Sequence, residues 1–486
     1  MRPPPNLPQE DPTVIKSMTL VALAAVALCG SGCATLDPPL PQAAPAVPSA
    51  WPAAASLQQG SADAPQAVHD IGWRDFFTDP KLVAILSGAL ENNRDLRIAA
   101  LNIDRTRAQY RIEQSQRWPA VGVSASGQRS GGSAAGENRS VYQVAAGLSA
   151  FELDLFGRLH SLSAAAFQQV LAQEQARRAI QQSLVAEIAN TYILLAADLE
   201  SQQVAQRTFE AQQSSYDLVV KRYELGAVSA VDVSQARTTV ETARADVARF
   251  AGLVAQDTHA LDLLAGAPVA RTLLPRAFDI AVSGIAPLPA DLPSRVLLRR
   301  PDIAQAEYQL RSANANIGAA RAAFFPSVSL TGSIGSTSSE LPDLFGSGTR
   351  SWSFIPQLNV PIFQGGRLRA GLAAATADRD IALAQYEQAI QAGFRDVADA
   401  LVLTRTLADR RQAQLALLEA AQQTFDLSQA RYDSGRDSSL NVLDAQRSLY
   451  TAQQGAIAAQ LAEQGNRLTL YRVLGGGWEE RPGQDI

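Results

Sequence analysis

The sequence predicts a mainly α-helical fold with a small membrane β part, built as two duplicated halves that each form a long antiparallel helical hairpin. Three observations predict it. Arg158–Leu225 contains neither Gly nor Pro. The pattern around it returns about 209 residues later. Within each half, two segments of about ten residues alternate apolar and polar side chains, which is the period of a strand.

At the N-terminus, Lys16, the apolar run Leu20–Leu28 and the small residues Gly30-Ser31-Gly32 give the succession of a secretory signal over residues 1–32. The apolar run is too short for a spanning helix, which needs about 20 residues. The sequence Gly30-Ser31-Gly32-Cys33 resembles the lipobox at which bacterial lipoproteins are cleaved and acylated, with Gly30 standing where Leu is usual. Cys33 is therefore expected to carry lipid. The only other cysteine, Cys29, would leave with the signal. Residues 33–70 then read as the acylated cysteine and a Pro/Ala-rich tether without helical or strand period.

The first half is read over residues 71–266. Its strands are expected at about 119–130 and 141–151, joined by a polar loop, and its long hairpin at 157–265. Arg158–Leu225 is rich in Ala, Gln, Leu, Glu and Arg, all strong helix formers. As one helix it would be about 100 Å long. Leu184, Ile188, Tyr192 and Leu195 recur at helical spacing among small Ala186, Ala189 and Ala196, which suits close helix-on-helix packing. Gly226-Ala-Val-Ser229 punctuates the run and turns it back on itself.

Residues 267–292 read as a linker, 293–478 as the second half and 479–486 as a tail. Arg222-Tyr223-Glu-Leu-Gly226-Ala-Val-Ser229 is answered by Arg431-Tyr432-Asp-Ser-Gly435-Arg-Asp-Ser438, and Trp118-Pro119 by Phe325-Pro326. Strands are expected at about 326–336 and 351–361, and the second hairpin at 365–474. In the last strand Trp352, Phe354, Leu358 and Val360 share one face, and Ser353, Gln357 and Asn359 the other. Such a strand is long enough to cross a bilayer when tilted. Four strands cannot close a barrel, and an open edge is not tolerated in lipid. Three copies would give twelve strands, within the range of outer-membrane barrels.

Catalysis finds no foothold. Only three lysines occur (Lys16, Lys81, Lys221), none after Gly, so there is no phosphate-cradling loop. His69, His160 and His259 lie far apart, with no cysteine beside them to make a zinc site. No GxSxG elbow is present. The 42 basic and 47 acidic residues are dispersed, which argues against a nucleic-acid partner. No cofactor or metal is expected.

The informative polar residues sit at the hairpin turns. Gly226 and Gly435 supply the positive φ that closes a helix. Ser229 and Ser438 are placed to cap the following helix, and Asp232 to complete a capping box with Ser229. Beyond the second turn Leu440, Asn441, Asp444, Arg447 and Ser448 share one helical face. Asp444 and Arg447 are also spaced for an ordinary surface ion pair.

Taken together, Phe151-Glu-Leu-Asp-Leu-Phe-Gly157, Arg299-Arg-Pro-Asp-Ile303, Ala320-Arg-Ala-Ala-Phe-Phe-Pro326, Pro361-Ile-Phe-Gln-Gly-Gly366, Arg431-Tyr-x-x-Gly435, Val442-Leu-Asp-Ala-Gln-Arg447 and Leu474-Gly-Gly-Gly-Trp478 resemble the TolC-like outer-membrane factors, in particular the NodT-type lipoproteins of tripartite efflux systems. The resemblance runs from about Trp73 to Trp478. It implies a homotrimer with a twelve-stranded outer-membrane barrel above a periplasmic α-barrel. That conduit would be lipid-anchored through Cys33 and would dock with a periplasmic adaptor and an inner-membrane pump of the resistance-nodulation-division type. It implies passive export of drugs or toxic compounds, gated at the periplasmic helix tips. Leu440 and Asp444 match positions where such channels narrow to apolar and acidic rings. Asp232 is a second gate candidate beside its capping role, and Arg447 a latch between hairpins. Tyr223 and Tyr432, with the arginine before each, would either contact the adaptor or pack inside the hairpin. The alternative is a periplasmic coiled-coil scaffold or adaptor without a pore.

Overall fold

A computed structural model describes residues 36–44, 71–131, 139–276, 278, 285–286, 297 and 299–478. The signal segment and Cys33 lie outside the described residues. In chain order the elements are α1 (Trp73–Phe76), α2 (Pro80–Asn92), α3 (Arg94–Ser115), β1 (Val121–Ser130), β2 (Arg139–Leu153), α4 (Arg158–Glu224) and α5 (Ala230–Ala265). A 3-10 turn at Arg271–Leu273 follows, then α6 (Pro301–Ala322), β3 (Ser327–Ser338), β4 (Arg350–Asn359), α7 (Arg367–Asp433) and α8 (Ser439–Val473). The two halves thus repeat one plan: a helix, two strands, a 67-residue helix and a shorter return helix. An unbroken stretch of good helix formers accounts for the first of these lengths, and α7 reaches the same length with Gly371 and Gly393 inside it; each helix is about 100 Å long. No helix among the described residues is long and apolar enough to cross a membrane.

The chain divides into two compact units. The first holds the described residues of Met1–Ala43 with Ile103–Ala172 and Ala306–Gln385. Its centre is one antiparallel sheet in the order β1-β2-β3-β4. Ten residue pairs join β1 to β2, from Val121–Leu148 to Ser130–Arg139, and β3 pairs with β4 from Ser327–Asn359 to Ser336–Arg350. β2 meets β3 through a bulge between Leu148 and Phe151, where Ala150 takes φ 51° and its N–H donates to Thr331 Oγ1. A bulge leaves one residue unpaired and bends the strand. Pro119, Pro326 and Pro361 stand just outside strand ends, where a missing N–H costs no ladder bond.

The two faces of the sheet differ. Trp352, Phe354 and Leu358 on β4 are exposed apolar side chains, as are Val121 and Val123 on β1. The opposite face carries cross-strand hydroxyl pairs, Ser333 with Ser353 at 2.8 Å and Thr337 with Ser351 at 3.1 Å.

The second unit comprises Ala44–Asn102, Gln173–Gln305 and Tyr386–Ile486. Its core gathers Trp73, Phe76 and Phe77 from the α1 region, Leu82 and Leu86 from α2, Ile188 and Tyr192 from α4, and Tyr471 from α8. The Tyr471 ring stacks on Phe76 with centroids 3.8 Å apart, and its hydroxyl donates to the Ile71 carbonyl. Asp79 is buried because it works twice, capping α2 at the Lys81 N–H and accepting the Tyr192 hydroxyl at 2.8 Å. The return helices are tied in by polar rungs. Tyr450 on α8 donates to Asp246 on α5, Thr239 on α5 to Gln212 on α4, and Asn466 on α8 to the Ala400 carbonyl on α7.

Candidate functional site

Both hairpin turns belong to the second unit, and both long helices end in the same way. Gly226 and Gly435 adopt φ 74° and 72°. The Gly226 N–H donates to Tyr223 O and the Ala227 N–H to Arg222 O; Gly435 and Arg436 repeat this with Tyr432 and Arg431. These are paired Schellman closures, which satisfy carbonyls that the helix end leaves open. Glycine fits because the left-handed backbone costs any residue with a Cβ.

The return helices start differently. At α5 the capping box is complete: Asp232 N–H donates to Ser229 Oγ at 3.3 Å, and Ser229 N–H donates to Asp232 Oδ2 at 2.8 Å. The Ser229 hydroxyl donates to the same oxygen at 2.7 Å. These bonds, the hydroxyl's foremost, hold the Asp232 carboxyl below its ordinary value.

At α8 the expected cap is corrected. Ser438 occupies the N-cap position but its side chain makes no capping hydrogen bond. The residue three positions on is Asn441 rather than an acid, and its amide is drawn to Asp437 Oδ1 at 2.5 Å. Asp437 also accepts the Ser438 N–H, and its Oδ2 accepts Arg431 Nε at 3.0 Å. The side chain of Asp437 thus takes up the Ser438 N–H as Asp232 takes up that of Ser229 in the first turn. Arg431, followed by Asn441, holds the Asp437 carboxyl below its ordinary value.

The Arg-Tyr pairs resolve unequally. Arg222 at the end of α4 donates to the Tyr432 hydroxyl on α7 at 2.5 Å, with the guanidinium 6.0 Å from the ring centre. Tyr432 therefore joins the two hairpins within one chain, whereas Tyr223 is exposed. Leu440 is 54% exposed. Asp444 lies 3.6 Å from Arg447, but the side chains are 73% and 64% exposed. An ion pair so solvated is worth only about 0–1 kcal/mol, and leaves the Asp444 charge available to anything passing it. Asp232 and Asp444 are engaged separately, one in the capping box and one with Arg447. Two residues that matter here were not singled out from the sequence: Asp437, and Arg222 as the partner of Tyr432. No cluster of His, Cys, Asp or Glu among the described residues is arranged to hold a metal ion.

Residues 85–267 and 292–476 match the outer membrane efflux protein family. The chain belongs to that family. This outer membrane efflux protein is 43% identical over 478 residues to the probable efflux pump outer membrane protein TtgC of Pseudomonas putida, covering 96% of this chain and 97% of that one. It is 40% identical over 458 residues to the cation efflux system protein CusC of Escherichia coli, with 94% and 98% covered. Its fold matches the open state of the Neisseria gonorrhoeae MtrE outer membrane channel with a TM-score of 0.84 and 36% identity, over 93% of this chain and all of that one. As an outer membrane efflux protein it is a channel component of the outer membrane and not an enzyme.

Proposed function

We propose that three copies of this chain close a twelve-stranded barrel and form the passive exit duct of a tripartite efflux system for drugs or other toxic small molecules. One observation carries this reading: a four-stranded sheet with one apolar face and one hydroxyl-bearing face, whose outer strands β1 and β4 each have a single partner among the described residues. An apolar face suits lipid and a hydroxyl face a water-filled lumen. Unpaired edges are costly in lipid, so other copies must supply the missing partners. A coiled-coil scaffold without a pore has no need of such a sheet.

Residues 71–266 and 293–478 are the two repeated halves of this duct. Its periplasmic ends are the turns at Gly226–Ser229 and Gly435–Ser438, where an adaptor and the inner-membrane pump of the resistance-nodulation-division type would engage, with Tyr223 among the exposed contacts. Three copies of Leu440 and Asp444 around an axis would form a dewetting and a cation-attracting constriction. Arg447 is the adjacent latch candidate, and Asp232 contributes through its cap. Cys33 carries the lipid that fastens the chain to the outer membrane.

The test is fractionation of cell envelopes with chemical crosslinking. A trimer in the outer-membrane fraction is expected; a monomer in the soluble periplasmic fraction would overturn the channel reading.

A further inference from the structure

Within the first unit the two halves of the chain meet along α4, which follows β2, and α6, which leads into β3. Gln169 Nε2 on α4 donates to Ser312 Oγ on α6 at 3.0 Å, and the Ser312 hydroxyl donates to the Ala165 carbonyl at 3.0 Å. Ala165 and Ala172 share the Gln169 stripe of α4, and Ala315 and Ala319 share the Ser312 stripe of α6. All four alanines are buried. Toward the strands, the Phe156 and Phe325 rings stack with centroids 4.6 Å apart.

Duplication gives the chain a second version of each surface. The helices α4 and α7 both have 67 residues, and α3 and α6 both have 22, so their positions correspond one to one. Ala165, Gln169 and Ala172 are answered on α7 by Ala374, Asp378 and Ile381. Ser312, Ala315 and Ala319 are answered on α3 by Arg105, Ala108 and Ile112. Both of these second surfaces are open. Ile381 is 55% exposed where Ala172 is 1% exposed, and Ile112 is 61% exposed where Ala319 is buried. The other four are exposed as well. So are Trp118, the counterpart of Phe325, and Phe363 in the junction before α7. The helix α7 follows β4 and α3 leads into β1, so open helix faces and sheet edges coincide among the described residues.

Charge identifies what covers these faces. Near them Asp104 pairs with Arg107, and Arg379 with Asp380. Arg105 and Asp378 have no ion pair among the described residues. They carry opposite charges, and they stand where Ser312 and Gln169 bond to each other within the chain. We propose that the open face of α7 docks on the open face of α3 in a second copy of this chain, with Asp378 of one copy paired to Arg105 of the next. A head-to-tail contact of this kind closes a ring when the rotation it imposes does so. Opposed charges at such a contact fix register and reject wrong partners. Nearer the strands α3 carries Arg111 where α6 has Gly318, whose missing Cβ admits Ser161 of α4. The contact between copies is therefore wider at that end than its counterpart within the chain. The proposal rests on the three-copy reading above.

The test uses the full chain in its own envelope. Ala374→Cys and Arg105→Cys are introduced together and treated with a short bismaleimide. A ladder of two and three linked chains is expected from the pair and none from either cysteine alone. Ala165→Cys with Ser312→Cys, the counterpart within one chain, should link without forming a ladder. Charge is tested separately with Asp378→Arg, Arg105→Asp and both together. Each single reversal should lower the trimer captured by general crosslinking at least threefold, and the double reversal should restore most of it, because it recreates the pair in the opposite sense. Single losses without rescue, or single reversals without loss, would overturn the ion pair. A parent chain captured as a trimer whose cysteine pair gives no ladder would overturn the docking of α7 on α3 and leave the duct standing. A parent chain that yields no trimer would overturn both.

Discussion

The two hairpin turns end their long helices identically and begin their return helices by different means. At Gly226–Ser229 the chain closes on itself through a capping box between Ser229 and Asp232. At Gly435–Ser438 a network of Arg431, Asp437 and Asn441 spans the turn and takes up the Ser438 N–H, and the serine side chain caps nothing. Duplication fixed the backbone solution, which depends on glycine at one position. The polar solution was free to diverge, because N–H groups at an exposed helix start can also be satisfied by water. The second turn is also the one that precedes Leu440 and Asp444, so its network links the end of α7 to the segment proposed as the gate.

The largest effect on both turns should come from replacing the shared element. Gly226→Val or Gly435→Val forces a β-branched residue into a left-handed backbone, at a cost of about 1–2 kcal/mol or more. Cleavage at the turns by a probing protease should rise about tenfold in either variant, since 1.4 kcal/mol is a factor of ten in an opening equilibrium. Equal sensitivity of the two turns is expected here.

The serines should separate them. Ser229→Ala removes a working N-cap and should cost about 1 kcal/mol, or roughly fivefold in cleavage at the first turn. Ser438→Ala should change cleavage at the second turn by less than about twofold, because its side chain caps nothing. Equal responses would erase the distinction between the turns.

Salt and pH sharpen the same contrast at smaller amplitude. The Arg431–Asp437 pair is an exposed ion pair, so raising salt should loosen the second turn and leave the first nearly unchanged. Asp232 and Asp437 both have folded carboxyls below the ordinary range. Their contribution is therefore present above the unfolded value of about 3.9 and is lost as pH falls through the lower folded values. Both turns should be insensitive to pH between about 6 and 8 and open progressively below about 4, as read by cleavage with an acid-active protease.

The sequence discloses the first long helix well, because nothing between Arg158 and Leu225 can break it. It discloses the second less well: Gly371 and Gly393 lie inside α7, and only Phe394–Ser434 reads as unbroken. Packing accounts for Gly393, where a Cβ would press within 3.2 Å of Ile303 and 3.5 Å of the Arg300 guanidinium. The capping box is legible because its partners stand three residues apart. Asp437 is not, since it reaches six residues back across a turn to Arg431, a separation that belongs to no regular period. Arg222 and Tyr432 are 210 residues apart, and only the folded pairing of the hairpins brings them together. In β2 the alternation fails at the bulge around Ala150, which periodicity cannot register.

Single-channel recording on purified protein in planar bilayers tests the proposed gate most directly. Asp444→Ala should lower cation-over-anion selectivity several-fold in a conducting channel, while Asp232→Ala, which removes a cap, should leave selectivity as it is. Unchanged selectivity in an intact Asp444→Ala channel would contradict the assignment of the constriction to the second turn.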